Sequence, residues 1–270
     1  MIRTVVSGAA GRMGRQVIAA AAEDDEITIV GALEASGHGA LGQDAGTNAA
    51  IAPLGVPITD DREAAFSNAD VVIDFSTPGS TLAVITEAAR RGVAAVSGTT
   101  GHPDENVKAI EGLSRKIPIV MAPNMSVGIN LLFALSEEVA RVLGDDFDVE
   151  IIEAHHNQKV DAPSGTAKRL FEIISRALGR DPRTIGVYGR EGMVGKRTKR
   201  EIGVHAVRAG DIVGEHTVLF ATTGERIELV HRVSSRMTLA RGALRAAKWV
   251  VGKEPGLYEM LDVLDLRRHK

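Results

Sequence analysis

The sequence predicts an α/β protein: a doubly wound parallel sheet, followed by a second unit whose sheet is mostly antiparallel. Three observations predict it. Short β-rich runs alternate with helical stretches up to about residue 124, the pattern of strands joined by crossover helices. Beyond that point β-rich runs follow one another with few helices between them, the pattern of hairpins. Aromatics are only 3% of the chain, and Ala, Val, Ile and Gly carry the apolar load, which suits strands covered on both faces. With 270 residues there is room for two modest cores.

The elements follow in order. Residues 2–7 are a short β-rich run. Residues 12–22 have helical spacing, with Met13, Val17, Ile18 and Ala21 on one stripe. Strands are expected at 27–33, 71–75, 93–97 and 117–121, with helices at 81–91 and 105–113 between them. The Gly- and Ala-rich stretch 36–55 has no period and reads as loop. In the second half, 127–143 reads as a helix and 149–155 as a strand. The stretch 166–178 is an amphipathic helix with Leu170, Ile173, Ile174 and Ala177 on one side. Strands at 201–207, 212–221 and 226–233 precede a last helix at 236–251.

Composition narrows the function classes. Hydrophobic content of 44% and charged content of 25% are those of a globular protein in water. A net charge of -3 provides no global basic field for nucleic acid. The densest basic stretch, 190–200, contains Lys196, Arg197, Lys199 and Arg200, and reads as a solvated loop at least as readily as a binding patch. Cysteine is absent, which excludes disulfides, thiolate zinc sites and thioester chemistry. The first residues enter a strand directly, without a signal-peptide layout, and no apolar run approaches membrane-spanning length. A cytoplasmic enzyme is expected, without a nucleic-acid or membrane partner.

Gly8-Ala9-Ala10-Gly11-Arg12-Met13-Gly14 directly follows the first strand and opens the first helix. Glycines there permit a tight turn, close approach of backbone to a pyrophosphate, and close packing of helix on strand. The helix end adds free N–H groups and partial positive charge. Glu34 closes the second strand about twenty residues on, where an acid can take the ribose hydroxyls of a dinucleotide. The spacing is G-x-x-G-x-x-G, and the strand–turn–helix context with the acid carries the reading. The turns Gly98-Thr99-Thr100-Gly101 and Ala122-Pro123-Asn124-Met125 follow later strands, at the sheet edge where such ligands bind. Phe75-Ser76-Thr77-Pro78 occupies the equivalent place after the third strand.

The run from Glu153 to Thr166 is the most informative stretch. It holds His155, His156, Lys159, Asp161 and a Ser164-Gly165-Thr166 turn. A core strand would need a buried partner for each of these groups, so the run reads as the rim of a site. Imidazole titrates near neutrality, and lysine can pair with a carboxylate or give up a proton. A Ser-Gly-Thr turn opening a helix aims N–H groups at an anion, and Ser164 is a natural N-cap. The kit suits holding a small dianion and moving protons on it. Zinc held by the histidines, Glu153 and Asp161 is the rival reading, without a helical His-x-x-x-His pair to support it.

With these pieces in place the chain closely resembles the dihydrodipicolinate reductase family along essentially its whole length. The resemblance rests on the stretches 8–14, 98–101, 122–128, 153–166, 207–217 and 234–237. The Glu-Ala-His-His…Lys-Val-Asp-Ala-Pro-Ser-Gly-Thr block is its most specific part. It implies a Rossmann-like nucleotide domain from residues 1–126 and 236–270. It also implies an α+β domain, 127–235, that binds substrate and builds a homotetramer through a mixed or antiparallel sheet. It implies His155 as catalytic acid/base and Lys159 as proton donor, with His156, Gly165 and Thr166 on the substrate dicarboxylate. Gly8, Ala9, Ala10, Gly11, Arg12, Met13, Glu34, Gly98, Thr99, Thr100, Ala122, Pro123, Asn124 and Met125 would hold the cofactor.

The implied reaction is NADH- or NADPH-dependent reduction of 4-hydroxy-tetrahydrodipicolinate with loss of water, in lysine synthesis through diaminopimelate. No metal is implied. Family members often carry a basic residue after the ribose acid, and here that position is Ala35. Arg12 is the one cation the sequence places near a 2′-phosphate, so NADH preference or dual use is expected. Three rivals share features of the first half. Another dinucleotide oxidoreductase would differ in substrate turnover. Aspartate-semialdehyde dehydrogenase needs a thiol that this chain lacks. A redox sensor would have no use for His155, Lys159, Gly165 and Thr166 together.

Overall fold

The structure, a computed structural model, describes residues 1–266; positions 267–270, the end of the expected nucleotide domain, lie outside the described residues. It divides into two compact units. One comprises Met1–Val127 and the chain from Arg236 onward, the other Gly128–Ser235.

The first unit opens with β1 (Ile2–Ser7), α1 (Arg12–Ala21), β2 (Ile27–Leu33), α2 (Ala45–Asn48), β3 (Ile58–Thr59) and α3 (Arg62–Ala65). It continues through β4 (Val71–Asp74), α4 (Pro78–Arg91), β5 (Ala94–Ser97), α5 (Asp104–Leu113) and β6 (Pro118–Met121). The second unit holds α6 (Val127–Leu143), β7 (Asp148–His155), α7 (Gly165–Ala177), α8 (Pro182–Ile185), β8 (Gly186–Tyr188), β9 (Ile202–Arg208), β10 (Gly214–Thr222) and β11 (Glu225–Val233). Then α9 (Met237–Val250), β12 (Gly256–Tyr258) and α10 (Met260–Val263) rejoin the first unit.

Seven strands form the first sheet in the order β12-β6-β5-β4-β1-β2-β3, and every pairing is parallel. Alternate strand residues enter opposite cores. Val6, Ile73, Val96 and Val120 pack under α1 and α9, whereas Val5, Val72, Ala95 and Ile119 pack with residues of α4 and α5. The chain winds outward in opposite directions from β1 and β4, so their carboxyl ends form the switch point where such sheets bind ligands.

Local signals explain where the elements depart from expectation. The helix expected from residue 81 begins at Pro78, because Thr77 caps it by accepting from the Ser80 N–H and proline suits the first turn. The stretch 36–55 is not all loop. It contains α2, nucleated by Asp44, whose carboxylate accepts from Thr47, Leu54 and Gly55 N–H groups. The strands β3, β8 and β12, of two or three residues, are too short for a readable period.

The second sheet has the order β11-β10-β7-β9-β8. Its β11–β10 and β10–β7 pairs are antiparallel, but β7–β9 and β9–β8 are parallel, so the sheet is mixed rather than mostly antiparallel. Alternation in sequence reports which face a residue occupies, not which way its neighbour runs. One face is buried: Val149, Ile151, Ile202, Val204, Val218 and Phe220 pack with Phe133 of α6 and Leu170 and Ile174 of α7. The opposite face leaves Ile152, Val207 and Val230 exposed. Neither reading of the basic stretch 190–200 describes Arg190 and Arg197. Both converge on Glu150, which also meets His205. Burial opposes ionisation of Glu150, but these partners hold its carboxyl down at about 2. Gly203 makes the space, since a Cβ there would overlap the Glu150 carboxylate.

Candidate active site

In the first unit the glycine turn sits at the switch point. Gly8 has φ +73°, and a Cβ on it would lie 2.5 Å from the Phe75 carbonyl oxygen at the end of β4. A Cβ on Gly14 would collide with the Gly8 carbonyl, so α1 can approach this closely only without one. Gly11 is the N-cap of α1 and provides no side-chain acceptor, which leaves the first-turn N–H groups for an anion. Arg12 is exposed and Met13 half-buried. Ala9 is fully buried, with its N–H on the Leu33 carbonyl, so it shapes the turn from within.

Glu34 stands where the sequence placed an acid. Its Oε2 accepts from the Ala10 N–H at 3.0 Å and its Oε1 from the Ala35 N–H at 2.9 Å. Each oxygen keeps a further lone pair for a ribose hydroxyl. A cavity beside this carboxylate is lined in part by Gly8, Glu34, Ala35, Ser36 and Arg62. The sequence reading missed Arg62. β3 brings it there by pairing beside β2, with the Glu34 N–H donating to the Thr59 carbonyl at 3.0 Å.

The turns after β4 and β5 are tied by a second residue that sequence reasoning missed. Asp74 is buried and accepts from Ser76 Oγ at 2.6 Å, Thr81 Oγ1 at 2.6 Å and Thr99 Oγ1 at 2.8 Å. Thr99 Oγ1 also accepts from the Ser76 N–H. Thr99 is therefore buried on this carboxylate, while Gly98 and Thr100 are more open. An aspartate ending the apolar run Val71–Ile73 was the available signal. After β6, Ala122 and Met125 are buried in the core, and Pro123 and Asn124 face outward or half-outward. Asn124 Oδ1 accepts from the Ser126 N–H at 2.9 Å.

In the second unit His155 is the last residue of β7. Glu153, two residues earlier on the same strand, is fully buried. Its Oε2 accepts from His155 Nδ1 at 2.6 Å. The carboxylate also accepts from the Ser164 N–H at 3.0 Å and from both terminal nitrogens of Arg208 at 2.8 Å. Burial opposes its ionisation, yet the hydrogen bonds from Arg208, His155 and Ser164 hold it below the usual carboxylate range. An ionised carboxylate only accepts, so Nδ1 carries the His155 proton and Nε2 is the nitrogen left with a lone pair. Burial lowers the His155 pKa, while Glu153 acts to raise it. Gly214 keeps Nε2 accessible, since a Cβ there would lie 3.2 Å away.

His216 backs the pair. Its ring meets that of His155 edge-on at 5.2 Å, and its Nε2 lies 3.0 Å from Ser164 Oγ. Burial, and then the charge of His155, push the imidazole down to about 3, so it is neutral. Ser164 is the N-cap expected of it, accepting from the Ala167 N–H at 3.2 Å. Gly165 and Thr166 form the first turn of α7. Lys159 pairs with Asp161 at 2.8 Å, and Arg208 donates to the Asp161 carbonyl at 2.6 Å. His156 is half-buried just beyond β7. The run thus keeps His155, Lys159, Gly165 and Thr166 around one strand end and one helix start. Glu153 and Asp161, the carboxylates of the zinc reading, are committed to His155, Arg208 and Lys159. Among the described residues no group of three or more His, Asp or Glu is placed to hold a metal ion. Nor is any helix among them long and apolar enough to cross a membrane.

A parallel sheet with a glycine turn at its switch point, carried with a unit that presents a carboxylate-held imidazole, defines a two-unit nicotinamide-dependent oxidoreductase. The N-terminal model of dihydrodipicolinate reductase matches residues 2–125, and the C-terminal model residues 128–264. The chain belongs to the dihydrodipicolinate reductase family. It is 54% identical over 268 residues to the 4-hydroxy-tetrahydrodipicolinate reductase of Geobacter sulfurreducens, covering 99% of this chain and 100% of that one. The enzyme of the same name from Geobacter metallireducens is also 54% identical, with the same coverage. Among solved structures, dipicolinate-bound dihydrodipicolinate reductase from Paenisporosarcina sp. TG-14 matches with a TM-score of 0.75 and 26% identity, over 97% of this chain and 98% of that one.

Proposed function

We propose that this chain reduces 4-hydroxy-2,3,4,5-tetrahydrodipicolinate to 2,3,4,5-tetrahydrodipicolinate in lysine synthesis through diaminopimelate. The carrying observation is the Glu153–His155 pair beside Lys159 and the Ser164-capped start of α7. The reaction consumes one hydride and one proton, and releases the ring hydroxyl as water. A reduced nicotinamide, when bound, supplies the hydride. Gly8, Ala10, Gly11, Arg12 and Met13 hold its pyrophosphate in a turn that Ala9 shapes from within, Glu34 its ribose, and Gly98, Thr99, Thr100 and the turn that Ala122 and Met125 anchor, through Pro123 and Asn124, its nicotinamide half. The closed approach at Gly8 and the two N–H groups fixing Glu34 fit that role.

Proton handling falls to this chain's own side chains. Glu153 stabilises the imidazolium of His155 and fixes its tautomer, so the proton comes and goes at Nε2. Lys159 has an ammonium to give or to pair with a carboxylate, and Asp161 holds it in place. The N–H groups at the start of α7, the Thr166 hydroxyl and His156 grip the dicarboxylate. The enzyme is read as a cytoplasmic homotetramer, built through the uncovered face of the second sheet with Ile152, Val207 and Val230 at its centre.

His155→Ala and Lys159→Ala are each expected to lower turnover by about two to four orders of magnitude, the usual worth of a positioned acid or base. NADH affinity, read by fluorescence titration, should stay within about twofold, because neither residue lies in the first unit. Near-normal turnover in both variants would remove them from the mechanism.

A further inference from the structure

The cavity beside Glu34, of about 290 Å³, is lined in part by Gly8, Glu34, Ala35, Ser36, Asp60 and Arg62. If the dinucleotide reading of this unit holds, it is where the adenosine ribose lies, and its 2′-oxygen faces these side chains. Glu34 repels a dianionic phosphate. Ala35 and Ser36, directly after it, provide no charge to compensate. Arg62 is the cation that does line the cavity, and it arrives from a different strand.

We infer that Arg62 is the specificity-determining residue that lets this chain accept the 2′-phosphate of NADPH. Three observations carry the assignment. The first is position. Arg62 opens α3, just past the turn after β3, and β3 is bonded to the end of β2, so Arg62 lines one cavity with Glu34. The second is availability. No ion pair or hydrogen bond from the Arg62 side chain occurs among the described residues. Three nearby acids are engaged elsewhere: Asp61 caps α3 through the Ala64 N–H, Glu63 meets Arg91, and Glu87 is held by Arg90 and Arg91. Asp60, which also lines the cavity, is exposed to solvent.

The third observation is partial neutralisation of the repulsive group. Glu34 already accepts N–H groups from Ala10 and Ala35, so its charge is held toward the glycine turn. A guanidinium matches phosphate geometry with two parallel N–H donors, which an ammonium or a hydroxyl does not. NADH needs only Glu34. NADPH needs Arg62 as well. The chain therefore uses both cofactors, and Arg62 sets their ratio.

The test is calorimetric titration of the full chain with NADH, NADPH and 2′,5′-ADP, in wild type, Arg62→Ala, Arg62→Lys and Arg12→Ala. Arg62→Ala should weaken NADPH and 2′,5′-ADP by about tenfold or more, equivalent to about 1.4 kcal/mol. NADH should change by less than about twofold. Arg62→Lys should recover part of the loss, and the salt dependence of NADPH binding should fall with the charge. Equal weakening of NADH and NADPH would overturn the assignment, as would loss of NADPH discrimination in Arg12→Ala but not in Arg62→Ala. Failure of wild type to bind either dinucleotide would instead sink the cofactor reading on which the assignment rests, and the assignment with it.

Discussion

Glu153 is the residue on which the chemistry proposed for the second unit turns. It is fully buried, yet charged, because His155, Arg208 and the Ser164 N–H satisfy it together. A buried charge with fewer partners would protonate instead. Glu153→Gln keeps the shape and removes the charge. The amide no longer stabilises a protonated His155, so the imidazole pKa falls further below its ordinary value. The protonated form is then populated only at lower pH, and the limb of the kcat profile that reports His155 should move to lower pH. Turnover at neutral pH should fall by about tenfold to a hundredfold, with KM for the dinucleotide unchanged. A profile that keeps its position would separate Glu153 from the proton-carrying role proposed for His155. The sequence displayed both residues, two apart on one strand. It could not display Arg208, which register alone brings beside Glu153.

Among the elements, α7 joins the proposed substrate grip to stability. Ser164 caps it, contacts His216, and sends its own N–H to Glu153. Ser164→Ala removes the cap and leaves the buried His216 Nε2 without its hydroxyl. Loss of the cap alone costs about 1 kcal/mol, and the unpartnered imidazole adds to it. We expect a lower urea midpoint together with weaker binding of pyridine-2,6-dicarboxylate, because the first-turn N–H groups lose their fixed direction. An unchanged affinity for that dianion would mean that α7 does not hold it. Long amphipathic helices such as α1, α7 and α9 were legible because their apolar stripes exceed two turns. The pairing directions in the second sheet, and β3 with Arg62 behind it, were not. A two-residue strand has no period, and its position depends on backbone bonds to a distant segment.

Across the whole molecule, buried imidazoles make acid stability predictable in sign. His216 is about 3 in the folded protein against an ordinary 6.5, and His155 and His231 are also lowered by burial. Above pH 6.5 both folded and unfolded chains leave His216 neutral. Between 6.5 and about 3 the unfolded chain binds a proton that the folded one refuses, so stability falls as pH falls. The slope is at most about 1.4 kcal/mol per pH unit for each such histidine. Glu87 and Glu150, held at about 2, add their loss only below the ordinary carboxylate value of 4.5. Urea unfolding should therefore weaken already between pH 6.5 and 5, and His216→Asn should flatten that region whatever its midpoint at neutral pH. A wild-type midpoint constant down to pH 5 would contradict the burial argument.

The return of α9 to the first sheet has a consequence for how the protein is made. Ribosomes release chains from the amino end, so β1 to β6 emerge while α9 has not yet been translated. Ala240, Ala243, Leu244, Ala247 and Val250, which cover the face formed by Val6, Ile73, Val96 and Val120, are added only after the entire second unit. During that interval the first sheet has α1 but not α9 on that side, and lacks β12 at its edge. The second unit, with its own core from α6 to β11, is continuous in the chain and needs nothing synthesised later. The part of the protein begun first is thus the part completed last.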